Sequence, residues 1–196
     1  MSGFTIEVQH TPETISAMSY VQYSATHGRK KAVQVLTAAV CLLLGTHLIG
    51  DIRAPFHYLF SAYGCFALLF LNLPAKWRAE KIVKGIQASG RGFPCSIFRF
   101  EEEGFRVTAK GFDGPGEFYA YSGCHRLVEH RSGLYYFIGP EAAFLFPPQS
   151  LSGGQAAVLK AFLEAHTGLR FTRLQQGLNA SLRSLLHTRR NTRSAA

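Results

Sequence analysis

Cysteine is scarce and scattered in this chain. Cys41, Cys65, Cys95 and Cys124 are its four, and no two of them make a C-x-x-C pair. Zinc knuckles and disulfide frameworks need closer or more numerous cysteines, so these read as small buried hydrophobes in a reducing compartment. Charge is missing over one long stretch: between Ala32 and Leu73 only Asp51 and Arg53 are ionised. Acid is missing from the end, where residues 169–196 hold six basic residues and no acidic one.

Catalytic and cofactor motifs are absent as well. Gly111 to Gly116 reads GFDGPG, but it lacks the Lys and the following helix of a phosphate loop. Ser122 and Ser132 stand in no nucleophile elbow. His125, Glu129 and His130 lie near one another, yet His125 and Glu129 are two steps apart on one strand face, and a zinc site needs three or four convergent ligands. Glu101-Glu102-Glu103 reads as a solvated turn rather than a cation site. No enzyme activity and no cofactor are expected.

What the chain does have is positive charge in particular places. The formal net charge is +9, but from Phe93 to Gly168 eight acidic residues outnumber six basic ones. The excess lies in the tail and in Pro74 to Gly92, which carries five basic residues against Glu80 alone. Nucleic-acid binding would place it on a basic face of the folded domain, with stacking aromatics or a recognition helix. Membrane topology explains the distribution better, and no nucleic-acid partner is expected.

Two apolar runs carry that reading. Ala32 to Gly50 (AVQVLTAAVCLLLGTHLIG) and Ala54 to Leu73 (APFHYLFSAYGCFALLFLNL) each lack a formal charge. At about 1.5 Å per residue each would reach roughly 30 Å, the hydrocarbon thickness of a bilayer. Asp51, Ile52 and Arg53 join them, a turn short enough to demand an antiparallel pair, and Pro55 suits the first turn of the second helix. The expectation is a two-helix transmembrane hairpin over 32–50 and 54–73. Arg29, Lys30 and Lys31 before it, and Lys76, Arg78, Lys81 and Lys84 after it, place both termini in the cytoplasm. Trp77 falls where an aromatic anchors at the interface. The first apolar run starts at Ala32 and leads into a second, which is not the pattern of a cleavable signal peptide. Gln34, His47 and His57 would lie in or near the bilayer, the histidines towards the far interface, while Gly45, Ala62 and Gly64 would let helices approach closely.

Around the hairpin the period changes. Phe4 to Gln9 alternates as a half-buried strand, and Thr11-Pro12-Glu13 opens a helix reaching His27. Together they make an N-terminal segment, 1–31, whose strand is expected to dock on the later domain. Ser96–Phe100, Phe105–Ala109, one or two strands within Glu117–Glu129, Leu134–Ile138 and Ala142–Phe146 alternate between turn-rich links, the pattern of a meandering antiparallel sheet. Ser152-Gly153-Gly154-Gln155 has capping-box form. Val158, Leu159, Phe162 and Leu163 then recur at helical spacing up to Gly168. A curved sheet closed by one C-terminal helix is a pleckstrin-homology-like barrel, expected over 92–168. The tail, 169–196, sets Leu174, Leu178, Leu182, Leu185 and Leu186 among Arg173, Arg183, Arg189 and Arg190, a basic amphipathic segment fit to touch anionic lipid. Asn179-Ala180-Ser181 is a glycosylation sequon that a cytoplasmic tail leaves unused.

This order of parts resembles the YcxB-like family of small bacterial membrane proteins. FRFEEEGFRV (Phe98 to Val107), the strand with Tyr121, Leu127, Val128 and Glu129, LYYFIG (Leu134 to Gly139) and AAFLFPPQSL (Ala142 to Leu151) carry the likeness. The resemblance implies an N-terminal strand and helix, two membrane spans and a pleckstrin-homology-like domain in a bacterial inner membrane. Tyr121 stands where the family typically has Trp, and Pro148 where it typically has a basic residue. No activity follows from it. The expected role is a membrane-anchored, cytoplasm-facing interaction or sensory module with a protein partner or a second copy of itself. The alternative is an accessory or homo-oligomeric subunit of a transporter or channel.

Overall fold

Alternation at Thr5–Gln9 becomes the first strand, β1, with Ile6 and Val8 inward and Thr5, Glu7 and Gln9 outward, in a computed structural model that describes residues 4–47, 56–90, 92–151 and 154–174. The strand docks on the later domain as expected. It pairs antiparallel with β2 (Cys95–Phe100), Ile6 opposite Phe98 and Val8 opposite Ser96. β3 (Gly104–Ala109) and β4 (Glu117–Ala120) extend the sheet in the order β1-β2-β3-β4. A second sheet holds β5 (Arg126–His130), β6 (Gly133–Phe137), β7 (Ala143–Phe146) and the two-residue β8 (Thr172–Arg173), ordered β7-β6-β5-β8.

The inner faces of the two sheets share one core with the last helix. Phe98 and Phe100 of β2 and Phe105 of β3 meet Tyr136 of β6, Phe146 of β7, and Leu159 and Leu163 of the helix. Edge-to-face rings build much of it, Phe98 on Phe146 at 5.0 Å and Phe105 on Tyr136 at 5.0 Å, a geometry that adds to simple burial. Every residue of β6 is buried. That accounts for the run LYYF, which does not alternate: a strand covered on both faces reads as continuously apolar. Gly133, which starts β6, has φ +138°, and a Cβ there would run into the Phe146 carbonyl, so the close approach of β7 requires glycine.

Five helices complete the described chain. α1 (Pro12–Thr26) starts where Thr11 predicts. The Thr14 amide donates to Thr11 Oγ1 at 3.3 Å and the Thr11 amide to Thr14 Oγ1 at 2.8 Å, a reciprocal cap with Pro at the first helical position. α2 is Gly28–His47, α3 Phe56–Leu69, α4 Leu73–Ala88 and α5 Gln155–Thr167. By internal packing the described chain forms two units, residues 4–22 with 75–174, and residues 23–74.

Two expectations are overturned. The first is the transmembrane hairpin over 32–50 and 54–73. Among the described residues no single helix is long and apolar enough to cross a membrane; only α3 and α4 taken together pass on length and composition, and they are two helices parted by a bend. α2 starts at Gly28, so Arg29, Lys30 and Lys31 lie inside the helix rather than before it. Hydrogen bonding runs almost unbroken from α1, with the His27 amide on the Tyr23 carbonyl and the Lys31 amide on the His27 carbonyl. α3 has 14 residues, a rise of about 21 Å. It ends in a turn at Phe70–Asn72 before a helix absent from the sequence expectations. Residues 51–53 and Pro55 lie outside the described residues.

The second is the pleckstrin-homology-like barrel. Two open four-stranded sheets stand in its place. Closure would need β4 to pair with β5. The chain between them coils into a 3-10 turn at Tyr121–Gly123, and the far edge of β5 is taken by β8, parallel, Val128 opposite Thr172. On the other side β7 runs into Pro147 and Pro148, which have no amide to donate to a ladder. The capping box is corrected too: α5 is capped by Gly154 in the left-handed region at φ 85°, without a side-chain cap. Ser152 lies outside the described residues.

Candidate functional site: an apolar helix pair and its flanks

α2 and α3 pack antiparallel through small residues. Ala38, Gly45, Gly64 and Ala67 are buried. A Cβ on Gly64 would meet Leu42 Cγ at 2.7 Å and the Ala38 carbonyl at 3.0 Å, and one on Gly45 would meet Ser61 and the His57 carbonyl. Of the small residues expected to allow close packing, Gly45 and Gly64 do so and Ala62 is exposed. Gln34 turns into the pair and donates its side-chain amide to the Ala67 carbonyl at 2.9 Å. His57 is buried against Tyr58. Of His47 only its place at the end of α2 is described.

The large side chains face the other way. Val33, Leu36, Val40, Leu43 and Leu44 of α2, and Phe56, Tyr58, Leu59, Tyr63, Phe66 and Leu69 of α3, are all exposed, Leu43 at 62% and Leu69 at 79%. Burying one such side chain is worth roughly 1.5–3 kcal/mol. This surface therefore leaves a large favourable term unused unless something apolar covers it. Scattered exposed apolar residues need no explanation, but a contiguous patch does.

The expected interface residues split into three kinds. Arg29 and Lys30 are exposed on the first turn of α2. Lys31 is 6% exposed. Its ammonium donates to Ser24 Oγ at 2.7 Å and to Asn72 Oδ1, over the Tyr23 ring at 4.8 Å, and burial lowers its pKa to about 8. It pins the root of the helix pair instead of meeting solvent. Lys76, Trp77, Arg78, Lys81 and Lys84 are exposed on α4. Charge at the edge of an apolar run, which marks the seven basic residues, does not say which way a long flexible side chain will turn.

In the two-sheet unit, charged and hydroxyl groups tie the fold together. Glu129 accepts from Lys160 of α5 at 2.8 Å and from Arg173 of β8 at 3.3 Å; the Lys160 hydrogen bond is the main cause of its lowered pKa. His125 is exposed, and among the described residues no group of three or more potential ligands could hold a metal. His130 Nδ1 lies 2.6 Å from Ser132 Oγ, which lies 2.7 Å from Tyr135 Oη, and the Ser132 amide also donates to that nitrogen. The imidazole, its pKa lowered first by burial, thus closes the β5–β6 turn. Its lone pair is already engaged by the turn amide, which counts against a general-base role.

The remaining expected sites are structural. Glu101 pairs with Arg106 at 3.0 Å. Tyr121 is buried and donates its hydroxyl to the Glu101 carbonyl at 3.1 Å, and burial raises its pKa well above the ordinary phenol. All four cysteines are free thiols. Cys95 is buried beside Glu7, and burial raises its pKa, whereas Cys65 is exposed on α3 rather than buried. Of the tail, Thr172 and Arg173 are strand, Leu174 donates its amide to the Glu129 carbonyl, and residues 175–196 lie outside the described residues. Compared with family models, with curated proteins and with solved structures, the chain has no match.

Proposed function

We propose that this chain is a non-catalytic, membrane-associated interaction module: the α2–α3 pair rests its large apolar side chains in lipid, and the two-sheet unit is held at the cytoplasmic surface for a protein partner. The observation that carries this is the inverted packing of the pair, with small residues buried between the helices and large ones exposed. Helices in lipid approach through small residues, because outward-facing leucine and phenylalanine cost nothing there. The exposed basic residues Arg29, Lys30, Lys76, Arg78, Lys81 and Lys84 support the cytoplasmic side. A transporter or channel role would need polar groups on a path, and Gln34 is engaged inside the pair by the Ala67 carbonyl. The absence of a match to the YcxB-like or any other family model leaves that likeness resting on its quoted residues alone.

The test is flotation of the full chain with neutral phosphatidylcholine vesicles, beside a variant carrying Leu36→Ser, Leu43→Ser, Phe66→Ser and Leu69→Ser. The chain should float and the variant should stay in the aqueous layer with its near-ultraviolet circular dichroism unchanged. Failure of the chain to float, together with vesicle-independent dimers that the variant abolishes, would make the face a contact between copies and refute the lipid reading.

A further inference from the structure

α4 divides its residues by face. Ala75 and Ala79 are each 3% exposed, and Val83 and Ile86 are half-buried on the same side. Trp77, Lys81 and Lys84 follow at i, i+4 and i+7 on the opposite side, all exposed, with Trp77 at 62%. Residues so spaced line one face of a helix. Two neighbouring basic residues are turned to carboxylates, Lys76 to Glu80 at 3.8 Å and Arg78 to Glu141 at 3.9 Å. Among the described residues neither Lys81 nor Lys84 meets one. A largely exposed indole followed on its own face by two such lysines is a poor surface for water alone. Its ring is apolar, its N–H is polar, and the lysine stems are apolar below charged heads, which suits the boundary between acyl chains and headgroups. Along the chain only the turn at Phe70–Asn72 separates α4 from α3.

We infer that the Trp77–Lys81–Lys84 face of α4 is an anionic-lipid contact: it lies in the headgroup layer, the indole at the acyl boundary and the two ammonium groups on phosphate-bearing lipids of net negative charge. This rests on the lipid reading of α2–α3 and adds to it a preference for lipid charge, with α4 as the element that expresses it. The interaction is electrostatic at its periphery, so salt weakens it.

Trp77 is the only tryptophan, so its fluorescence reports this face without a label. The full chain is titrated with phosphatidylcholine vesicles and with vesicles of phosphatidylcholine and phosphatidylglycerol in equal parts. On the mixed vesicles Trp77 emission should shift to the blue and be quenched by lipids brominated near the headgroup end of the acyl chain more than by lipids brominated near its tip. Binding to the mixed vesicles should be the tighter, and the Lys81→Gln/Lys84→Gln variant should lose roughly thirtyfold there, with little change on neutral vesicles. Equal binding to both vesicles, or unshifted Trp77 emission on vesicles that the chain demonstrably binds, would overturn the inference. A chain that floats on neutral vesicles with Trp77 still in water refutes this contact and spares the α2–α3 reading. A chain that binds only anionic vesicles, with Trp77 shifted, does the reverse.

Discussion

Phe98, Phe100, Phe105 and Phe146 of the two-sheet unit are each at most 1% exposed, whereas Phe56 and Phe66 of α3 are more than half exposed. The same side chain thus faces inward in one unit and outward in the other. In β1 polar and apolar residues alternate and water takes the polar side, as Ile6 and Val8 face in. In α2 and α3 most buried positions belong to alanine and glycine, with Lys31, Val35 and His57 beside them. The two units therefore place their large apolar side chains differently, and hydrophobic content averaged over the chain hides it. One unit derives its stability from burying large rings among themselves. The other leaves many of its large side chains exposed, so its energetics depend on what surrounds it.

Single substitutions should separate the two regimes. The largest effect is expected in the sheet core. Phe100→Ala removes a ring that stacks on Phe4 at 4.5 Å and touches Phe146, and should cost about 3–5 kcal/mol in urea unfolding. Phe66→Ala on the exposed face of α3 should change the same midpoint by less than about 0.5 kcal/mol while weakening vesicle binding. Equal losses at the two positions would erase the distinction.

Next comes Gly64→Leu. It forces α2 and α3 apart at Leu42 and Ala38, and overpacking of this kind should cost about 1–3 kcal/mol. The loss should appear as faster amide exchange in α2 and α3, with the sheet amides still protected. A uniform loss of protection across both units would contradict separate packing.

Glu129→Gln should cost roughly 1 kcal/mol, because Lys160 and Glu129 are about one-third exposed and water screens the pair. Hydrogen bonding to Lys160 holds the carboxyl below its ordinary pKa. Its contribution is therefore present above the unfolded value and is lost as pH falls through the folded one. The variant's acid-unfolding curve should converge with that of the wild type at low pH, and parallel curves would rule the linkage out.

Lys31 gives the effect most specific to one pH interval. Its folded pKa is lowered to about 8 by burial, so the unfolded chain binds more protons above that value. From pH 8 towards 10 Lys31 therefore contributes a rise in stability with pH, which Lys31→Met should remove. Identical pH profiles for the wild type and Lys31→Met over that interval would place the ammonium in water.

Much of the sheet unit was legible because its strands are half-buried and period two survives in the residues. β1, β2 and β3 and the start of α1 at Thr11-Pro12 follow from alternation and capping. Barrel closure was not legible, because which strand edges meet depends on β8, two residues long, and on a 3-10 turn at Tyr121. α4 escaped because its buried side is built largely on Ala75 and Ala79, which leave little apolar periodicity to detect. The burial of Lys31 is not legible locally, because its partners Ser24 and Asn72 lie 7 and 41 residues away. Charge at the end of an apolar run looks like a boundary, whereas the helix runs through it from Gly28.

Spin labels placed singly at Leu36, Leu43, Phe66 and Leu69, and at Phe118 and Val158 of the sheet unit, test the contrast between the two units most directly, with the full chain on vesicles. The account predicts that oxygen relaxes the first four strongly and an aqueous nickel complex hardly at all, with the order reversed at the last two. Ready access of the nickel complex to all six would mean that the apolar face of α2 and α3 meets water, and would contradict it.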